Sequence, residues 1–309
     1  MINIQENILL APLTSFRVGG NAKFYVEIKS LDELKEAIEY AKENKLDFYV
    51  LGGGTNLLVS DKGFDGLVIR IKMNELKVDG ACLEIQAGVP LIKAINTAAS
   101  AGLSGLEYLA GIPGTVGGAV RGNAGAYSCE ICSAVKNVTA YDCETNKEVV
   151  IEGGLCDFSY RSSVFKKNKN LIVISTILEL APAKMEDIQE KTKETIVKRA
   201  SMGLHGVKSA GSFFMNPTVA DDKLKEEFSK EKGVAVRNDK LPAGWVIDQV
   251  GLRGKKIGGA AVSQLHANYI VNDNGATADE IIMLVSYVKQ QVRDQLGIQL
   301  QEEINYVGF

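Results

Sequence analysis

The chain has 309 residues, 46% of them hydrophobic and 24% charged, with a formal net charge of −3 and a pI near 5.7. That length suits two or three domains at roughly 100–200 residues each, and the composition suits a buried core. Such weak acidity gives no basis for nucleic acid or an anionic membrane as partner, so an anionic ligand must be held by local cations and backbone dipoles.

The opening Met1-Ile2-Asn3-Ile4-Gln5-Glu6 has neither the basic nor the apolar region of a secretory signal. No apolar run approaches the roughly 18 residues that span a bilayer. The cysteines, Cys82, Cys129, Cys132, Cys143 and Cys156, are odd in number. They argue for a reducing compartment, the cytoplasm, rather than a disulfide framework. Cys129 and Cys132 form a C-x-x-C without a second pair at zinc spacing, so they are expected to be structural thiols, with no metal.

In chain order, Ser30 and Glu33 form a capping box that opens a helix to about Lys45, with Leu34, Ile38 and Ala41 on its buried face. Strands are predicted over Phe48–Leu51 and Leu67–Ile71, and a hairpin over 75–87 around Asp79-Gly80. Pro90 opens a helix to Ala101. Strand patterns follow at Val135–Tyr141 and Leu171–Leu178, then a charged helix from Met185 to Ala200. Phe213-Phe214 reads as strand, Trp245 as a core residue in a short helix, and Ala267–Val271 as strand. A second capping box, Thr277 and Glu280, opens a long helix with Ile281, Val285, Val288, Val292 and Leu296 on its apolar stripe. A last strand is predicted over 298–307. This mixture is α+β rather than a regular βαβ alternation.

Two glycine-rich stretches stand out. One is Leu51-Gly52-Gly53-Gly54-Thr55-Asn56-Leu57. The other runs through Gly111, Pro113, Gly114, Thr115, Gly117, Gly118 and Ala119 to Asn123, Gly125, Ala126 and Tyr127. Consecutive glycines let amides converge on an anion without obstruction, and Thr55, Asn56 and Thr115 can add hydrogen bonds. One such stretch alone is more often a tight turn; two, each with Thr and Asn, point to a phosphate-bearing ligand. Neither is a G-x-G-x-x-G or a Walker A, which disfavours a Rossmann dinucleotide fold or a P-loop ATPase.

These stretches, with Thr14-Ser15-Phe16-Arg17-Val18-Gly19-Gly20, Tyr160-Arg161-Ser162-Ser163, Gly211-Ser212-Phe213-Phe214-Met215-Asn216-Pro217, Ala243-Gly244-Trp245 and Leu300-Gln301-Glu302-Glu303-Ile304, resemble the UDP-N-acetylenolpyruvoylglucosamine reductase family along nearly the whole chain. The short connection from Tyr160 to Ile172 resembles its shorter form, which lacks an extra tyrosine-bearing loop. The resemblance implies an FAD-binding fold of the vanillyl-alcohol-oxidase type in two α+β subdomains, residues 1–72 and 73–205. It implies a third, α+β substrate domain over 206–296, and a strand over 297–309 returning to the active-site region. It implies non-covalent FAD on the two glycine stretches, NADPH as co-substrate and a UDP-sugar as substrate, with no obligate protein partner to infer.

The implied reaction adds hydride to a vinyl carbon and a proton to the carbon beside a carboxylate. That chemistry needs a cation at the carboxylate, a group polarising the developing charge, and a proton donor. Arg161, Glu303 and Ser212 match the family's residues for these roles. Tyr160, Asn216, Arg253 and His266 match its substrate contacts. Taken alone, a surface arginine, a solvated strand carboxylate and a turn serine would be the commoner readings of the first three. Several residues depart from the family pattern: Thr55 for Ser, Met215 for Lys, Gly122 for Met, Ser128 for Gly and Arg253 where Lys is frequent. None falls on Arg161, Ser212 or Glu303. His205 has no partner pattern and reads as loop surface. Two alternatives are a flavin oxidase of small alcohols, which a covalent flavin link would favour, and a non-catalytic UDP-sugar binder, which needs no proton donor.

Overall fold

The computed structural model describes residues 2–127, 129–201, 203–204 and 206–309; Ser128 and His205 lie outside the described residues. The chain divides into two compact units that it visits alternately: Met1–Ile8, Ala22–Gly54 and Asp65–Ser201 form the first, and Leu9–Asn21, Thr55–Phe64 and Met202–Phe309 the second.

In the first unit, helix α1 (Leu31–Glu43) starts where its cap residue predicts: the Ser30 hydroxyl accepts from the Glu33 amide at 3.2 Å. The return arm of the expected capping box is displaced by one residue, because the Glu33 carboxylate accepts from the Lys29 amide instead. Leu34, Ala37, Ile38 and Ala41 are buried on its inner face. A four-stranded sheet orders the strands Gln5–Leu9, Asn21–Ile28, Phe64–Ile71 and Phe48–Leu51, the last two parallel. The two N-terminal strands give little sequence signal; Gln5–Leu9 has no buried residue at all.

A five-stranded antiparallel sheet follows, ordered Lys147–Glu152, Val135–Asp142, Leu171–Glu179, Cys82–Gln86 and Leu76–Asp79. Its Leu76–Gln86 hairpin turns at Gly80, which takes a left-handed φ of 57°. Helices α2 (Leu91–Ser100), α3 (Val116–Arg121), α4 (Val164–Lys167) and α5 (Met185–Ala200) complete the unit. One apolar core runs through it from Val26 to Leu180.

In the second unit, α6 (Asp222–Lys232) is a helix the sequence did not announce: only Leu224 and Phe228 are buried among its charged residues, too narrow a stripe to read. Asp221 caps it through the Lys223 and Leu224 amides. Helix α7 (Ala243–Gln249) buries Trp245, whose indole donates to Glu231 at 2.8 Å and meets the Phe228 ring edge-on. Strands Lys256–Ile257, Ala260–Val262 and Ile270–Asn272 form an antiparallel sheet. Helix α8 (Ala278–Leu296) carries the full Thr277–Glu280 capping box and buries Ile281, Val285, Val288 and Val292.

The strand predicted over 298–307 shortens to Asn305–Val307, which pairs in parallel with Leu57–Val59. The residues before it serve another partner: Glu302 bridges Phe214, and the flanking amides of Met215 and Glu303 donate to the carbonyls of Gln301 and Phe213. Among the described residues no helix is long and apolar enough to cross a membrane, and no cluster of His, Cys, Asp and Glu could hold a metal ion. All the cysteines are free, and burial pushes the thiols of Cys143 and Cys156 up to about 11.

Candidate functional site

Within the first unit, Gly52–Gly54 meets the second glycine stretch. A Cβ built on Gly52 would lie 2.8 Å from the Thr115 hydroxyl, and one on Gly53 2.8 Å from the Gly114 Cα. At Gly53 the two loops are thus pressed backbone against backbone, and only glycine permits it. Gly54 and Gly114 take φ values of 66° and 128°, which side chains disfavour. Gly117 packs against Ala87, where a Cβ would be 2.6 Å from the Ala87 Cβ.

Gly118 is different. It is exposed on α3 with a helical backbone, and a Cβ there would meet only the Thr115 hydroxyl at 3.5 Å. Neither sterics nor φ demands glycine, and glycine inside a helix costs about 0.5–1 kcal/mol relative to alanine. The adjoining amides are committed internally: Val116 donates to Val89, Gly117 to Ala87, and Gly118 to the Thr115 hydroxyl. The amides of Val116, Gly117 and Gly118 thus do not form the open anion nest expected of this stretch, and what the fold shows is close-packed glycine backbone around Gly52–Gly54 and Gly114–Gly118.

Asn123, expected at the cofactor, is fully buried with a left-handed φ of 44°. Its amide donates to Glu130 at 2.8 Å and to the Ser159 carbonyl at 3.0 Å, and its oxygen accepts from the Cys132 amide at 3.3 Å. Tyr127, in contrast, is exposed, with the Lys198 ammonium 4.6 Å from its ring centroid. Arg199 packs on Gly111, its Cδ 2.8 Å from a Cβ built there. Sequence reading missed both cations at the glycine stretch because basic residues closing a helix look like ordinary dipole partners. Arg161 sits at a left-handed φ of 59° in a turn closed by reciprocal Ser159 and Ser162 backbone hydrogen bonds. Its guanidinium carbon lies 5.3 Å from the Tyr160 ring centroid.

In the second unit the segments that carry Ser212 and Glu303 lie side by side. The Glu303 amide donates to the Phe213 carbonyl at 2.8 Å, and Ser212 bridges Tyr269. Asn268, which sequence reading missed, holds this segment from its other side. Its side chain accepts from the Phe214 amide and donates to the Phe214 carbonyl, at 2.9 and 2.8 Å, while its own carbonyl accepts from Phe213. A buried asparagine thus stands in for a strand.

Asn56 binds the main chain of Glu303 and Asn305. The Asn216 oxygen accepts from the Ala243 amide at 3.0 Å. Arg253 donates to both carboxylate oxygens of Asp248 and to the Gln264 carbonyl, so a phosphate there would share the guanidinium. Burial, helped by Arg253, holds the His266 imidazole below its ordinary value, and its Nδ1 accepts from the Asn268 amide at 3.2 Å.

Residues 22–154 match the family model "FAD binding domain", and residues 203–307 match "UDP-N-acetylenolpyruvoylglucosamine reductase, C-terminal domain". The chain is 36% identical over 299 residues to the UDP-N-acetylenolpyruvoylglucosamine reductase of Solibacter usitatus, covering 97% of this chain and 95% of that one. It is 33% identical to that of Prochlorococcus marinus, covering 100% and 99%. Among solved structures it resembles the UDP-N-acetylenolpyruvylglucosamine reductase of Thermus caldophilus, with a TM-score of 0.79, 31% identity and coverage of 99% and 100%. The fold is the α+β, FAD-binding type expected from the sequence, with a further α+β domain. With relatives this similar from end to end, the chain belongs to the UDP-N-acetylenolpyruvoylglucosamine reductase family and is an FAD-dependent oxidoreductase.

Proposed function

We propose that the protein reduces the enolpyruvyl ether of a UDP-N-acetylglucosamine to the lactyl ether of UDP-N-acetylmuramate, with NADPH as electron donor, in cytoplasmic synthesis of peptidoglycan precursors. The names and end-to-end similarity of the relatives support the substrate. The observation that carries the chemistry is the backbone ladder joining Phe213 to Glu303, because it holds a hydroxyl and a carboxylate on adjoining segments.

The residues to hold FAD are Leu51 to Leu57, Gly111, Pro113, Gly114, Thr115, Gly117, Gly118, Ala119 and Gly125 to Tyr127, with Asn123 buried within the same segment and Lys198 and Arg199 as nearby cations. FAD bound there would supply the hydride that the vinyl carbon takes up, with NADPH as its source. Arg161 pairs with the substrate carboxylate and stabilises the charge that grows beside it. Glu303 polarises that charge. The Ser212 hydroxyl gives its proton to the carbon next to the carboxylate; a weak acid suffices against so basic a carbanion. Tyr160, Asn216, Arg253 and His266 bind the UDP-sugar. NADPH and one proton are consumed, and NADP⁺ leaves.

The test is an anaerobic stopped-flow record. NADPH should bleach the flavin absorbance, and the enolpyruvyl UDP-sugar should restore it with formation of UDP-N-acetylmuramate. A reduced flavin that this substrate leaves bleached would sink the proposal.

A further inference from the structure

Between α3 and α4 the first unit holds buried polar side chains that the proposed reaction does not use. Asn123 and Ser163 are both 0% exposed. Each ties the Arg161 turn to the glycine-rich segment. Asn123 donates to the carbonyl of Ser159, the residue that opens the turn, at 3.0 Å. Ser163, just beyond the turn, donates through its hydroxyl to the Arg121 carbonyl at the end of α3, at 2.7 Å. Ser163 also caps α4, and α4 returns Lys166, whose ammonium donates to the Arg161 carbonyl at 2.9 Å. The Asn123 amide is itself fixed by Glu130 and the Cys132 amide.

This arrangement matters because Arg161 occupies a left-handed backbone conformation. For a residue with a Cβ that conformation costs about 1–2 kcal/mol and persists only when surrounding contacts impose it. The turn is closed by its own Ser159–Ser162 pair and by Lys166, and Asn123 and the Arg121 carbonyl tie it to the segment running from Gly117 to Tyr127, the one that bears the bare glycine backbone.

We propose that Asn123 is a positioning residue that couples the glycine-rich cofactor loop to the Arg161 turn, so that flavin nucleotide on the loop firms the turn and a firm turn favours flavin nucleotide. The reciprocity is thermodynamic: an interaction that makes one site firmer through the other acts equally in both directions. The part played by Arg161 toward a substrate carboxylate rests on the proposed function; the coupling itself does not.

Two readouts test the coupling. The first is trypsin cleavage at the Arg161–Ser162 bond of the full chain, which requires the turn to open. Saturating FAD should slow cleavage of the wild-type apoprotein about tenfold or more, the weight of a buried hydrogen bond or two. In Asn123→Gly, which keeps the left-handed backbone accessible, cleavage should be faster and nearly indifferent to FAD. Ser163→Ala, which leaves Asn123 intact, should show a weaker form of the same change. The second readout is the half-saturating concentration of the enolpyruvyl UDP-sugar in flavin reoxidation. With FAD saturating, Asn123→Gly should raise it about tenfold, and should add nothing further in an Arg161→Ala background. Cleavage at Arg161 that responds to FAD equally in wild type and Asn123→Gly would overturn the coupling, whatever the substrate proves to be. Wild-type flavin that ignores the UDP-sugar would instead overturn the proposed function alone, leaving the cleavage result to decide the coupling.

Discussion

At the scale of single residues, adjacent carboxylates have separate tasks. Glu302 pairs with Lys289 of α8 at 2.8 Å, and its charge joins burial in pushing the Tyr306 phenol above its ordinary range. It is a tie between the C-terminal segment and a helix. Alternation along 298–306 marks Glu302 as the anomaly on an apolar face, and the Lys289 partner explains it. Glu303→Ala is expected to slow flavin reoxidation by the UDP-sugar by about 10²-fold or more, as loss of a polarising group does. Glu302→Ala should leave that rate near wild type and lower the urea midpoint by the equivalent of about 0.2–1 kcal/mol, typical of a partly exposed pair. The opposite assignment of effects would show that the two roles are exchanged. Ser212→Ala should retain NADPH bleaching while losing about 10²–10⁴-fold in reoxidation; an equal loss in both half-reactions would make Ser212 structural.

His266 offers a test by pH. Its folded value lies below the ordinary 6.5, chiefly through burial. The unfolded chain therefore binds the proton more readily. The stabilisation from a neutral His266 is complete above pH 6.5 and is lost as pH falls toward the lower folded value. His266→Gln should flatten the acid side of the stability curve in that window, measured by urea midpoints from pH 7 downward. An unchanged slope would mean that His266 is not the group responsible.

Among the elements, what the sequence announced and what it hid follow from how many residues carry the signal. The long amphipathic helix α8 declares itself twice, through its cap and through its apolar stripe; the cap is seen, and Ile281, Val285, Val288 and Val292 are buried while Leu296 at the helix end is half-buried. Helix α6 buries two, and the N-terminal strand none, so neither leaves a period to read. The site divides the same way. Glycines pressed against a neighbouring loop are legible because few other residues tolerate such positions, as at Gly52 and Gly53. Asn268 is illegible because its role depends on pairing with Phe214, 54 residues away, and an asparagine in a loop advertises nothing. Gly118 is the element-scale test. With no steric or backbone demand for glycine, Gly118→Ala should stabilise the apoprotein by about 0.4–1 kcal/mol in denaturant melts and weaken FAD binding, read by release of flavin fluorescence. Alanine that binds FAD as tightly as glycine would make the bare backbone incidental.

For the whole molecule, the six segments of the two units mean that the chain crosses between them five times. Cutting at the last crossing does not yield two folded pieces. A fragment of residues 1–201 carries Phe16, Val18 and Leu58, whose core partners include Phe213, Trp245 and Ile304. The complementary fragment lacks both those side chains and the strand Leu57–Val59, to which Asn305–Val307 pairs. Each fragment alone should aggregate or remain partly unfolded, and co-expression should restore soluble material that binds FAD. A soluble, cooperatively melting 202–309 fragment would show that the N-terminal insertions are dispensable.

The same interleaving sets a timetable for birth on the ribosome. Phe16 meets the edge of the Phe213 ring in the finished protein, with centroids 6.4 Å apart. At about 5–20 residues per second, translation delivers the second ring roughly 10–40 s after the first. Through that interval Phe16, Val18 and Leu58 are apolar side chains waiting for a core not yet made. They sit in two segments, Leu9–Asn21 and Thr55–Phe64, that interrupt the first unit along the chain. Closing those segments onto the C-terminal third must then come last. Nascent chains stalled shortly after residue 201 should therefore hold chaperones at these two loops, and lose them once the last hundred residues emerge.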